Sequence, residues 1–170
     1  MKRKKNIVLV LVLEGLVLLA LFMFVTAISG ANDALTNIGN AFRNFLDVPS
    51  ILILLLFVMP VMIVSGAQRD FHCAFQIGKK EFSIAEMKKS LEAVQMAQWL
   101  VLCGMGFGVL ISLVTVMRVC DDSLDVLGPN LAVALLILFY GTLAEAILIP
   151  LKAHVQNAIT EAMDIEDEEE

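Results

Sequence analysis

Apolar residues fill four long runs of this chain, and polar residues collect between them. The first run is Ile7 to Ile28, interrupted only by Glu14. The second, Pro49 to Ser65, contains Pro60; the third runs from about Ala97 to Met117; the fourth, Leu131 to Leu151, has Glu145 inside it. Each is near the roughly 20 residues that an α-helix needs to cross ~30 Å of hydrocarbon. The pattern predicts an all-α membrane protein with transmembrane helices at 7–28, 49–65, 97–117 and 131–151. A loop at 67–96 and an acidic tail at 152–170 complete a single membrane domain, 1–170. A cleaved signal peptide is the rival reading of the first run. It needs a shorter apolar region and a small-residue cleavage site; this run is too long, and Thr26-Ala27-Ile28-Ser29 is a poor site.

The segments between the runs carry their own signals. Leu35, Ile38, Phe42 and Phe45 recur at helical spacing among polar residues, which predicts a short amphipathic helix on the membrane surface. Asp47-Val48-Pro49-Ser50 turns the chain into the second run, with proline at a helix entrance. The second helix is expected to extend to Gly78, with Phe71 and Phe75 on one side and the glycine as its stop. Ser83-Ile84-Ala85-Glu86 fits a capping box, and no strong breaker follows until Gly104, so one helix should run from there through the third span. Trp99 would then sit near the headgroups. Gly128-Pro129 marks the entrance to the fourth helix. Helices two to four are thus expected to extend into the cytoplasm as a small stalk.

Composition agrees with this and adds an orientation. The chain has 170 residues, 59% of them hydrophobic, more apolar surface than a soluble domain of this size can hide. Of its 12 Lys and Arg, all but Arg43 and Arg118 lie before the first span, between spans two and three, or just after span four. The positive-inside rule therefore puts both termini and the central loop in the cytoplasm. The net charge of −6 owes much to the terminal run Asp164, Glu166, Asp167, Glu168, Glu169 and Glu170, read here as a solvated tail. Cys73, Cys103 and Cys120 fall at three different depths, too far apart for an intrachain disulfide.

The spans differ in chemistry. The first two are dominated by large aliphatics. The third carries Gly104, Gly106, Gly108, Ser112 and Thr115, and the fourth Ala132, Ala134, Gly141, Thr142 and Ala144. Small residues let helices approach closely, so helices three and four should make the protein contacts, within one chain or between chains, while one and two face lipid. Glu14 and Glu145 are the two internal carboxyls. An ionisable group at the bilayer centre costs on the order of 3 kcal/mol and is a functional candidate by default. For Glu14 the plainer reading is snorkelling or pairing with Lys152. Asp121, Asp122 and Asp125 make an external acidic rim that either concentrates cations or is simply solvated. His72-Cys73 and His154 lack the ligand count of a metal site. There is no phosphate-binding glycine loop, nucleophile elbow or HExxH, and nothing argues for an enzyme, a cofactor or nucleic-acid binding.

Two stretches resemble the MotA/TolQ/ExbB proton-channel family, its flagellar stator branch most of all. Phe45-Leu46-Asp47-Val48-Pro49-Ser50-Ile51-Leu52-Ile53 is similar to the start of that family's second helix, and Arg69-Asp70-Phe71 with Ala74-Phe75 to its exit. Gly128-Pro129-Asn130-Leu131-Ala132-Val133-Ala134-Leu135-Leu136, Tyr140-Gly141 and Pro150-Leu151 resemble its fourth helix. The resemblance implies a homopentameric ring in the bacterial inner membrane whose third and fourth helices line a central pore. A dimeric, single-span MotB/ExbD-like partner would pass through that pore, its aspartate carrying the ion. Gly108, Val109, Ser112, Ala134, Leu138, Gly141, Glu145 and Pro150 would then lie along the ion path.

The chain departs from the family pattern in three places. Val109 and Ile137-Leu138 stand where the family has pore threonines. The large cytoplasmic domain that meets the flagellar rotor is reduced to Ala67–Met96, and the family's Ala-Asn near the end of helix four is Ala144-Glu145. These changes argue against a flagellar role and against ordinary conduction. Two functions remain, an ion-driven force-transducing channel subunit and a non-conducting oligomeric scaffold.

Overall fold

The computed structural model describes residues 7–28, 47–78, 80, 82–119 and 127–169. The amphipathic segment expected at Leu35–Phe45 and the acidic cluster Asp121, Asp122 and Asp125, with Cys120, lie outside the described residues. The described residues are all-α: α1 (Ile7–Ile28), α2 (Val48–Val64), α3 (Ala67–Ala74), α4 (Ile84–Val119) and α5 (Leu127–Glu169). Their one β-type pairing is an isolated bridge between Ile77 and Lys80.

Local chemistry sets most of the helix ends. Asp47 caps α2: its carboxylate accepts from the Ser50 backbone N–H at 3.1 Å and from the Ser50 hydroxyl, with Pro49 in the first turn. The capping box of α4 is reciprocal. The Ser83 hydroxyl accepts from the Glu86 N–H at 3.3 Å, and the Glu86 carboxylate accepts from the Ser83 N–H at 3.0 Å. As expected, α4 then continues unbroken for 36 residues.

One expectation is corrected. The second helix does not run on to Gly78. It stops at Val64, and the chain turns by 105° before α3 begins. Gly66 makes the corner with φ +73°, a left-handed conformation that glycine adopts without a Cβ clash. The acidic tail, 152–170, is helical to Glu169: α5 runs 43 residues through Pro150, and Glu161, Asp164 and Glu166 on it are exposed.

Helix length explains the architecture. At ~1.5 Å per residue α4 is ~54 Å long and α5 ~65 Å, well beyond the ~30 Å of hydrocarbon. Both are apolar enough to cross a membrane over part of that length, and the bent pair α2–α3 makes a third candidate span. Leu56, Leu110, Val114, Leu135 and Ile149 stand exposed on these helices. Apolar surface on that scale requires lipid or protein to cover it. The antiparallel pair α4–α5 has the most extensive contact in the molecule, with α2 packed on both, α1 on α5 and α3 on α4. The main core gathers where the first half of α4 meets the second half of α5. Val94, Leu151, Val155 and Ala74 are fully buried there, and Ile7 and Met62 are added from α1 and α2. His154 belongs to the same region, its Nε2 3.2 Å from the Ile77 carbonyl oxygen. The buried core is thus concentrated in this half of the molecule, while the apolar halves of the helices leave broad faces open.

Candidate functional site

The α4–α5 seam is built from small residues meeting large ones. A methyl group on Gly108 would lie 2.9 Å from Cγ2 of Ile137, and one on Gly141 would overlap the Met105 thioether. Ser112 and Ala134 are buried beside them. Gly108, Ser112, Ala134 and Gly141, which the resemblance puts along a pore, thus stand inside the contact between two helices of one chain. The physical reason is the intrachain packing that their small size permits.

The flanks of the seam differ. On one side lies α2: Phe57 meets Phe107 with ring centroids 6.0 Å apart, and the Asp47 N–H donates to the Tyr140 hydroxyl at 3.1 Å. At 100° per residue, Val109 is displaced by about 200° from Phe107 on α4, and Leu138 and Thr142 by about 160° from Tyr140 on α5. These three turn away from α2, and Leu138 and Thr142 are exposed, with Val109 half-buried. Along this face of α5, Leu138, Thr142, Glu145, Ile149 and Lys152 recur at spacings of three and four. The face begins apolar at Leu138, carries the Thr142 hydroxyl and the Glu145 carboxyl in its middle, and reaches Lys152 beyond Ile149.

In the middle of this face Gln98 of α4 donates its side-chain amide to Glu145 Oε2 at 3.3 Å. Glu145 Oε1 is buried with no hydrogen-bond partner among the described residues. Lys152 lies two turns further along the same face of α5. A buried carboxyl oxygen without a partner is costly as a charged group, because it has lost water and gained nothing. Within an apolar helix such a carboxyl is a candidate functional group. Pro150 is half-buried within α5 one turn beyond Glu145.

The other candidates are more ordinary. Glu14 is half-buried on the side of α1 that carries Leu11 and Leu18, so it faces protein more than open surface. Glu86 is fully exposed, and the Ser83 backbone and hydroxyl hydrogen bonds hold its carboxyl below the usual range. Cys73 and Cys103 are free thiols, and the described residues contain no cluster of His, Cys, Asp and Glu able to hold a metal. Sequence reasoning missed Gln98, Thr142 and the Asp47–Tyr140 bond. Gln98 and Glu145 are 47 positions apart, and only the pairing of α4 with α5 joins them. Thr142 had a signal in its spacing of three from Glu145. Compared with family models, curated proteins and solved structures, the chain matches none.

Proposed function

We propose that this chain is the ring-forming subunit of an ion-driven membrane machine of the MotA/TolQ/ExbB kind. Four spans cross the bacterial inner membrane with both termini in the cytoplasm. Five copies surround a single-span, dimeric MotB/ExbD-like partner, and ion flow along that partner is converted into rotation or force. The observation that carries this reading is the Glu145–Gln98 pair, a carboxyl with a buried, unpartnered oxygen on the face of α4–α5 turned away from α2. In a five-fold ring that face is free to look inward, and five Glu145 side chains form a carboxyl ring near the cytoplasmic exit. Val109 and Leu138 line the same face above it, and Thr142 adds a hydroxyl between Leu138 and Glu145. Gly108, Gly141, Ser112 and Ala134 hold the helix pair together instead of touching the ion.

The second reading, a non-conducting scaffold, draws on Val109 and Leu138. Neither offers a hydrogen bond to a hydrated ion, and rings of such residues dewet a narrow passage. Both readings predict a ring, and native mass spectrometry of the purified protein tests it: five copies are expected, and a monomer refutes both. Proton flux with and without the partner separates the two.

A further inference from the structure

The two oxygens of the Glu145 carboxyl have different surroundings. Oε2 accepts from the Gln98 amide at 3.3 Å, while Oε1 is enclosed, out of contact with solvent and without a hydrogen-bond partner among the described residues. The residues that flank the pair on the seam bring no side-chain oxygen: Ala97 and Val101 on α4, and Gly141 and Leu148 on α5, all buried. Thr142 supplies the one further oxygen on this face of α5. It is exposed, one turn away, and its hydroxyl donates to the Phe139 carbonyl oxygen at 2.7 Å. A hard metal cation is held by several oxygens at once. Here it would meet amide hydrogens at Oε2, could not reach the enclosed Oε1, and would find a single hydroxyl oxygen along the face. A proton needs one oxygen only, and it fits where no solvent molecule does.

We propose that the Glu145 site takes a proton and refuses sodium and the other alkali-metal cations, with Oε1 as the oxygen that is protonated and Oε2 held by Gln98. Uptake forms one O–H bond at Oε1 and release breaks it. The Gln98 amide donates to the charged carboxylate, so it opposes uptake and assists release. This rests on reading Glu145 as the ion-carrying carboxyl. It adds the identity of the ion, and the reason in this chain's own side chains that a metal cation is excluded.

A hydrophobic carbodiimide separates the two ions, because it reacts with a protonated carboxyl, whereas a bound metal cation protects the carboxylate. The carboxyl O–H adds across one C=N bond, its proton going to nitrogen, and the O-acylisourea rearranges to a stable N-acylurea with nothing lost. The full-length protein in phosphatidylcholine vesicles is treated with dicyclohexylcarbodiimide across a pH series, in sodium chloride and in choline chloride of equal ionic strength. The mass gain at Glu145 is followed by proteolysis and mass spectrometry. Wild type should be labelled at low pH, more slowly as pH rises, and at the same rate in both salts at every pH. Gln98→Met, which keeps the side-chain volume and removes the donor, should leave the low-pH rate unchanged. On the falling limb it should raise the rate about tenfold, equivalent to ~1.4 kcal/mol, about the size of a lost hydrogen bond to a charged group. A merely structural role for Gln98 would change the rate alike at every pH. Slower labelling in sodium than in choline, an unlabelled Glu145 at every pH, or no rise in Gln98→Met on the falling limb would each overturn the proposal. Sodium protection would leave Glu145 as the ion-carrying group and change only the ion. Labelling needs neither ring nor partner, so its failure is distinct from a failure of the ring-and-flux reading.

Discussion

Gly141 is the sharpest test of how α4 and α5 meet. An added methyl there would overlap the side chain of Met105, which is buried in the seam, so the thioether must leave its place. Overpacking of this kind costs about 1–3 kcal/mol. Replacing glycine by alanine within a helix returns about 1 kcal/mol of propensity, so Gly141→Ala should be destabilising by roughly 0–2 kcal/mol. Gly106, on the same helix as Met105, has nothing within 4 Å of an added Cβ, so Gly106→Ala keeps the propensity gain and none of the clash. The difference between the two variants isolates the overpacking term, about 1–3 kcal/mol, equivalent to roughly 5- to 150-fold in the folded-to-unfolded ratio. Reversible unfolding in bicelles, read by steric trapping, measures both. Combining Gly141→Ala with Met105→Ala should recover much of the loss, with a coupling of about 0.5–3 kcal/mol as for residues in direct contact. Equal stability of Gly106→Ala and Gly141→Ala, or absence of coupling to Met105, would refute the seam.

Three further outcomes follow from other parts of the molecule. Ser83→Ala should cost about 1 kcal/mol by removing the α4 cap, seen as earlier loss of helicity on heating. Glu86 has its folded pKa lowered chiefly by the Ser83 backbone hydrogen bond, so its contribution is complete above the ordinary glutamate value and is lost as pH falls through the lower folded value. Acid titration of Glu86→Gln should lack that loss, and an identical titration in both proteins would contradict it. In a cysteine-free background, a cysteine at Asn37 should react with an impermeant thiol reagent from outside the cell and one at Thr160 should not; the reverse pattern would overturn the orientation.

Local signals in the sequence located several helix ends, and long-range geometry supplied the rest. Asp47 with Pro49 and Ser83 with Glu86 are caps whose partners lie three residues away, so their spacing alone revealed them. The corner at Gly66 was hidden because a glycine stop was sought at Gly78. Both have positive φ, but the first already redirects the chain. The end of α5 was hidden by its acidic composition, which reads as a solvated tail although exposed glutamates are compatible with helix. Small residues at Gly108 and Gly141 correctly announced a close helix contact, yet size does not reveal whether the neighbour is in the same chain. Glu145 stood out as a charge in an apolar run. Its donor Gln98 did not, because a glutamine beside an interfacial tryptophan is unremarkable until α5 is laid against α4.

The central claim is that Glu145 carries the ion through a ring opened only by a partner, and proton flux into liposomes tests it most directly. The full-length protein is reconstituted alone and with any single-span membrane protein that co-purifies with it, and flux is driven by a pH gradient. The account predicts no flux from the protein alone, because Val109 and Leu138 seal the passage, and flux when the partner is present. Glu145→Gln should abolish that coupled flux while native mass spectrometry still finds the ring. Flux from the protein alone, or undiminished coupled flux in Glu145→Gln, would contradict it.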